Sequence, residues 1–210
     1  LFRTVGGVGC SVLLADRHGI PVDRRGAPGE DGDFRAWGLW TGTLWNEATE
    51  GTNGIGTCLA ENRPVVIHRD QHFHARNAGL SCVSSPIYDE CGRLAGAIDV
   101  SSCQHGLREE HAHLIAVAVA DAARRIESEH FRAAFPGARV LVAEAGEAIG
   151  LSLLAVDRHD LVIGATRAAR QAFRLSQAML DRNVPAQDLL DQDQAGAENF
   201  SHGEKAVLQR

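Results

Sequence analysis

The sequence predicts an α+β protein in which a central antiparallel sheet is flanked by helices, followed by a smaller α+β unit. Short apolar runs joined by hairpin-type turns, one long helical pattern, and a hairpin device that occurs twice all point this way. Strands and helices do not alternate regularly, which disfavours a doubly wound parallel sheet.

In the first hairpin, residues 11–15 read as a strand, Asp16-Arg17-His18-Gly19 as the turn and Ile20-Pro21-Val22 as the returning strand. Asp bonds the turn backbone and Gly supplies a positive φ. Residues 23–33 are charged, rich in Gly and contain Pro28, so they read as a loop. Trp37, Trp40 and Trp45 then stand close together in a chain poor in aromatics, as a packed cap or pocket wall would need.

The run Gly51-Thr52-Asn53-Gly54-Ile55-Gly56-Thr57-Cys58-Leu59-Ala60-Glu61 predicts a turn feeding a short helix. Asn53 has N-cap chemistry, and Ile55, Cys58 and Leu59 share one face. Residues 64–67, 81–88 and 94–101 are strand candidates, the last two joined by Asp89-Glu90-Cys91-Gly92. Residues 107–135 have a helical pattern, with Glu109 and Glu110 in the first turn and Arg124 and Arg125 further along, as the macrodipole prefers. Ile115, Val119, Ala122 and Ile126 form a narrow apolar seam, which suggests a parallel two-helix dimer contact.

Pro136-Gly137 stops that helix. Residues 153–156, Asp157-Arg158-His159-Asp160 and 161–163 repeat the first hairpin, and 165–175 read as helix. Beyond Asp188 the chain turns polar, with Leu189-Leu190 the last sizeable apolar pair before Phe200. The implied division is 1–135, 139–195 and a tail at 196–210.

Composition narrows the function classes. With 44% hydrophobic and 23% charged residues among 210, a soluble core is within reach. The longest apolar run, 114–120, is far too short to span a bilayer, so no membrane role is expected. Five cysteines with no Cys-x-x-Cys pair suit reduced thiols in a cytoplasmic protein. A net charge of −6 without a Lys/Arg cluster predicts no direct nucleic-acid contact from these residues.

Few residues carry chemistry on spacing alone. Gly6-Gly7-Val8-Gly9 lacks the dinucleotide spacing, and no phosphate-binding loop of the Gly-Lys-Ser/Thr type occurs. His68, His72, His74 and Cys82 are the only concentration of metal-ligand types, but their spacing matches no strong site, so no metal or other cofactor is expected. His111 and His113 fall on different helix faces. Cys58 and Cys82 are the nucleophile candidates, although free cysteines are more often inert core residues. Asp99, alone in an apolar strand, either points outward or anchors a hydrogen bond in the sheet. The expectation is a protein without enzymatic activity.

Taken in order, Trp45-Asn46-Glu47, the 51–61 run, Pro64-Val65, His72-Phe73, Cys82-Val83-Ser84-Ser85-Pro86-Ile87 and Gly92-Arg93-Leu94-Ala95-Gly96-Ala97-Ile98-Asp99-Val100-Ser101 resemble a known family. They look like the N-terminal GAF domain of acetoin-catabolism-type bacterial transcription regulators, relatives of sigma-54-dependent activators. The second unit is similar to the PAS-like domain that follows it there, and 201–210 faintly resembles the entry to a Fis-like helix-turn-helix. The resemblance implies a sensor: a small-molecule effector in a pocket on one face of the sheet, with its signal passed through the long helix of a homodimer. The pocket wall it suggests is Trp45, Thr52, Asn53, Thr57, Cys58, His72, Phe73, Cys82, Ser84 and Asp99. DNA contact would belong to other parts of such a regulator. Two rivals stand beside this reading. One is a GAF-fold free methionine sulfoxide reductase, whose Gly-x-Gly-Val-Cys-Gly segment is similar to Gly54-Ile55-Gly56-Thr57-Cys58. The other is a ligand-free interaction domain.

Overall fold

The computed structural model describes residues 1–5, 9–103, 109–143, 151–182 and 184–189. Gly6-Gly7-Val8, Leu107, Leu190, Phe200 and the 196–210 tail lie outside the described residues. The chain divides into two compact units: Leu1–Ile87 with Leu94–Arg125, and Tyr88–Arg93 with Ile126–Arg210. The division falls inside the long helix, whereas the sequence reading placed it at Pro136-Gly137.

The first unit contains α1 (Phe2–Val5), β1 (Cys10–Asp16), β2 (Pro21–Arg25), α2 (Asp31–Ala36), α3 (Glu47–Glu50) and α4 (Gly54–Glu61). β3 (Val65–His68), β4 (Ser81–Tyr88, its last residue counted with the second unit), β5 (Leu94–Ser102) and α5 (Glu109–Ala134, the second unit's from Ile126 on) follow. Its five strands form one sheet in the order β2-β1-β5-β4-β3, with β1 antiparallel to both β2 and β5. This is the expected α+β architecture.

The β1–β2 turn forms for the predicted reason. Asp16 Oδ1 accepts the backbone N–H groups of His18 and Ile20, each at 2.9 Å, and Gly19 holds φ +82°. One reading needs correction. Residues 23–25 continue β2, and 31–36 form α2 instead of extending the loop. Fully buried Phe34 explains the helix, because its packing outweighs the Gly32 propensity cost.

The apolar seam of α5 also needs correction. Ile115 and Val119 are buried by the chain's own atoms, together with Ala112 and Ala123, while Ala122 and Ile126 of the seam are half-buried, so only part of the seam is open to a partner. The apolar residues that this part of α5 leaves open are Leu114 and Val117, 71% and 68% exposed.

The second unit holds an antiparallel sheet β6-β7-β8, made of β6 (Arg139–Ala143), β7 (Ser152–Val156) and β8 (Val162–Ala165). α6 (Arg167–Ala172) and α7 (Gln177–Leu180) follow. Strand β7 is buried on both faces: Leu154 and Val156 pack with Val162 and Leu175, while Leu153 and Ala155 pack with Phe131. Its turn repeats the first one. Asp157 Oδ1 accepts from the N–H of His159 at 2.8 Å and of Leu161 at 3.0 Å, and Asp160, at φ +62°, stands where the first turn has Gly19.

Candidate functional site

The Gly-rich 51–61 run builds the start of α4. Asn53 caps it, its Oδ1 accepting the Gly56 N–H at 2.8 Å while its Nδ2 donates to Gly51 O at 2.8 Å. Thr57 Oγ1 accepts the Asn53 N–H at 3.2 Å and donates to Glu47 Oε1 at 2.6 Å, tying α4 to α3. The glycines are there for clearance. A Cβ on Gly54 would stand 2.5 Å from Cys82 Cβ and 2.8 Å from Asp99 Oδ1, and one on Gly56 would stand 2.5 Å from Trp45 O. The helix start lies flat on the sheet and the preceding loop.

Beneath Gly54, period-two alternation puts Asp99 and Ser101 on one face of β5. Asp99 is fully buried; Ser84 Oγ donates to its Oδ1 at 2.5 Å and Ser101 Oγ to its Oδ2 at 2.6 Å. Burial pushes its carboxyl up to about 6, against the pull of the two serine hydrogen bonds. Cys82 and His72 extend the row, with Cys82 Sγ 3.4 Å from His72 Nε2. His72 Nδ1 lies 2.9 Å from Arg69 O, and only a protonated Nδ1 can bond a carbonyl. Nε2 is therefore the acceptor in the neutral ring, the form favoured because burial lowers the pKa of His72. The Cys82 thiol donates to it. Burial raises the Cys82 thiol pKa far above its ordinary value, so it is a structural thiol.

Open space lies on the far side of Trp45. A cleft of about 570 Å³ has Trp37, Trp45 and Leu44 as its carbon wall, with Arg35, Glu50 and Arg76 at its polar edge. Trp45 is buried, and its Nε1 donates to Gly38 O at 2.9 Å, which fixes the indole. Arg76 Nη2 meets Glu50 Oε2 at 2.5 Å, joining the 69–80 loop to α3. The Phe73 N–H, donating to Thr52 O at 3.1 Å, makes a second tie.

The ten residues expected to form one wall therefore separate. Ser84, Asp99, Cys82 and His72 form the packed row, with Ser101 as a member the sequence reading missed. Asn53 and Thr57 are the cap, and Thr52 holds the loop. Cys58 packs among Val65, Ile67 and Ala97, with its thiol pushed up to about 12 by burial. Phe73 is corrected outright: its ring is 71% exposed, held beside Gly51 and edge-on to His74. Only Trp45 lines the cleft. The other histidines make separate contacts, His68 Nδ1 with Ser81 Oγ at 2.9 Å. Among the described residues, no group of three or more His, Cys, Asp or Glu is placed to hold a metal ion.

Arg35, Trp37, Glu50, Arg76 and Asn77 of the cleft had no signal in spacing. Glu50 and Arg76 meet across 26 positions, and nothing local announces that pairing. Trp37 alone had a hint, from its place in the tryptophan cluster.

The acetoin catabolism regulatory protein of Cupriavidus necator is 31% identical over 81% of this chain and 26% of its own length. The acetoin dehydrogenase operon transcriptional activator AcoR of Bacillus subtilis is 36% identical over 54% of this chain and 18% of its own. For the propane 2-monooxygenase operon transcriptional activator MimR of Mycolicibacterium smegmatis the figures are 36%, 43% and 16%. The chain thus spans between 16% and 26% of the length of these curated relatives. Among solved structures, the E. coli DhaR(N)–DhaL complex aligns with 94% of this chain and 69% of that chain, at TM-score 0.48 and 19% identity. Residues 1–126 of the 210 match the sequence profile of the GAF domain, and the chain belongs to the GAF domain family.

Proposed function

We propose that this chain is the signal-receiving region of a cytoplasmic bacterial transcription regulator, with a small molecule in the Trp37–Trp45 cleft as the signal. The observation that carries the reading is the pairing of a packed polar floor with an open, tryptophan-walled cleft beside it in a GAF domain. Its volume, about 570 Å³, falls among those of small-molecule sites. Relatives named as regulators of catabolic operons support a metabolite as the signal. The second unit is read as the PAS-like partner domain, and DNA recognition is assigned to other parts of the regulator.

The thiol-enzyme rival finds little support. Cys58 and Cys82 are both buried and their pKa values are raised, so neither offers a ready thiolate to methionine sulfoxide. A second copy of the chain is proposed to dock on the Leu114/Val117 face of α5, two apolar side chains three positions apart and open to solvent. Sedimentation of the wild type and of a Leu114→Glu/Val117→Glu double variant tests this. A monomeric wild type, or an unchanged dimer in the variant, overturns it.

Thermal denaturation against small diols, ketones and carboxylates tests the sensor reading. At least one compound is expected to raise the midpoint of the wild type and fail to do so in Ala36→Trp, which fills the cleft from an exposed position. No response from any compound, or an equal response in Ala36→Trp, contradicts it.

A further inference from the structure

The polar lining of the cleft includes donors to spare. Gly38 O accepts the Trp45 Nε1–H at 2.9 Å, while the single Thr43 hydroxyl proton is shared between Gly38 O at 2.7 Å and Trp40 O at 2.6 Å. Glu50 Oε2 is held by Arg76. Against these, Asn77 is buried on the cleft wall and its Nδ2 has no hydrogen-bond partner. A buried donor left unmatched is destabilising, and a ligand acceptor that reached it would relieve that cost. Arg35 lies 3.7 Å over the Trp40 ring and has no carboxylate partner among the described residues. Arg76, 65% exposed, has one carboxylate for five N–H donors. With Arg35 and Arg76 against Glu50, the lining residues carry a formal surplus of one positive charge. The remainder is carbon, from the indoles, Leu44 and Ala36.

Resting on the cleft as the sensing site, we propose that its ligand is a small organic carboxylate, with the carboxylate set against Arg76 and Asn77 and the carbon body against Trp37 and Trp45. A bare anion lacks the apolar half of this match, and a neutral diol or ketone lacks the charge.

Titration calorimetry with matched probes on the whole chain tests this. Benzoate is compared with benzamide and benzyl alcohol, butyrate with butanamide and 2-butanone, and inorganic phosphate serves as the bare anion. At least one acid is expected to bind about tenfold or more tightly than its neutral partners, the scale of a charge-assisted hydrogen bond. That binding should fall about tenfold in Arg76→Gln, recover in part in Arg76→Lys, and vanish in Ala36→Trp. If an amide or alcohol binds as tightly as its acid and still requires an open cleft, the carboxylate class is wrong and the cleft stands. Phosphate binding as tightly as the acids likewise overturns the class. If nothing binds, or Ala36→Trp binds unchanged, both the class and the cleft reading fall.

Discussion

Asp99 is a carboxyl fully buried in the sheet. A carboxyl that titrates about 6 in the fold and near 3.8 in the unfolded chain keeps its proton longer when folded. Between those values the unfolded state binds fewer protons, so stability falls as pH rises and then levels off above about 6. The whole effect is about 3 kcal/mol. Asp99→Asn keeps acceptor and donor capacity without the charge. Its stability relative to wild type is expected to rise through this window, read from urea unfolding at a series of pH values. A difference that is flat with pH contradicts the buried carboxyl. Gly54→Ala is the matching steric test. Although alanine favours helix, its methyl meets Cys82 and Asp99, and a loss of about 1–3 kcal/mol is expected; an unchanged urea midpoint would show that the helix start is free to lift. Of the two arrangements the sequence left open for Asp99, the hydrogen-bonded one is observed. Ser101 was legible by the same period of two and was overlooked because a lone serine in an apolar strand carries no mark of its own.

At the scale of elements, local chemistry was the best guide. The Asp-anchored hairpin turns and the Asn53 cap form as predicted, because each depends on a few adjacent side chains meeting their own backbone. Asn53→Ala is expected to cost about 1–2 kcal/mol, since both amide bonds at the helix start are lost; an unchanged urea midpoint would deny the cap a role. The α2 segment was missed because Pro28 and its glycines read as loop, while the burial of Phe34 is decided by tertiary packing. The α5 seam was seen correctly as apolar, but Ile115 and Val119 of it are covered by the chain itself, because periodicity identifies a buried face without saying what buries it. The consequence is measurable. At a concentration where the chain is monomeric, Val119→Ala should destabilise the fold by about 2 kcal/mol, and Leu114→Ala should leave it within about 0.5 kcal/mol. Equal effects in denaturant unfolding would contradict this orientation of the helix.

At the scale of the whole molecule, the family was legible because its motifs occur in order, from Trp45 to Ser101, and the matching profile covers residues 1–126. The cleft was not legible. It is assembled from the 35–50 segment and the 69–80 loop, whose side chains are far apart in sequence and meet only through tertiary packing. The motif-rich positions are packed so closely that a methyl on Gly54 would force a shift, and the cleft lies one indole away. A ligand held there at about a hundred times its Kd should stabilise the first unit by about 2.7 kcal/mol.

The most direct test of this arrangement is a heteronuclear NMR titration. Three tryptophans give three indole N–H signals, assigned by Trp→Phe variants, to be followed with the backbone amides as the tightest-binding carboxylate is added. The Trp37 and Trp45 indoles and the Arg76 and Asn77 amides are expected to shift most, with Ser84, Asp99 and Ser101 nearly still. The largest shifts at Ser84, Asp99 and Ser101, with quiet indoles, would contradict the account by placing the ligand inside the row taken here as packed floor.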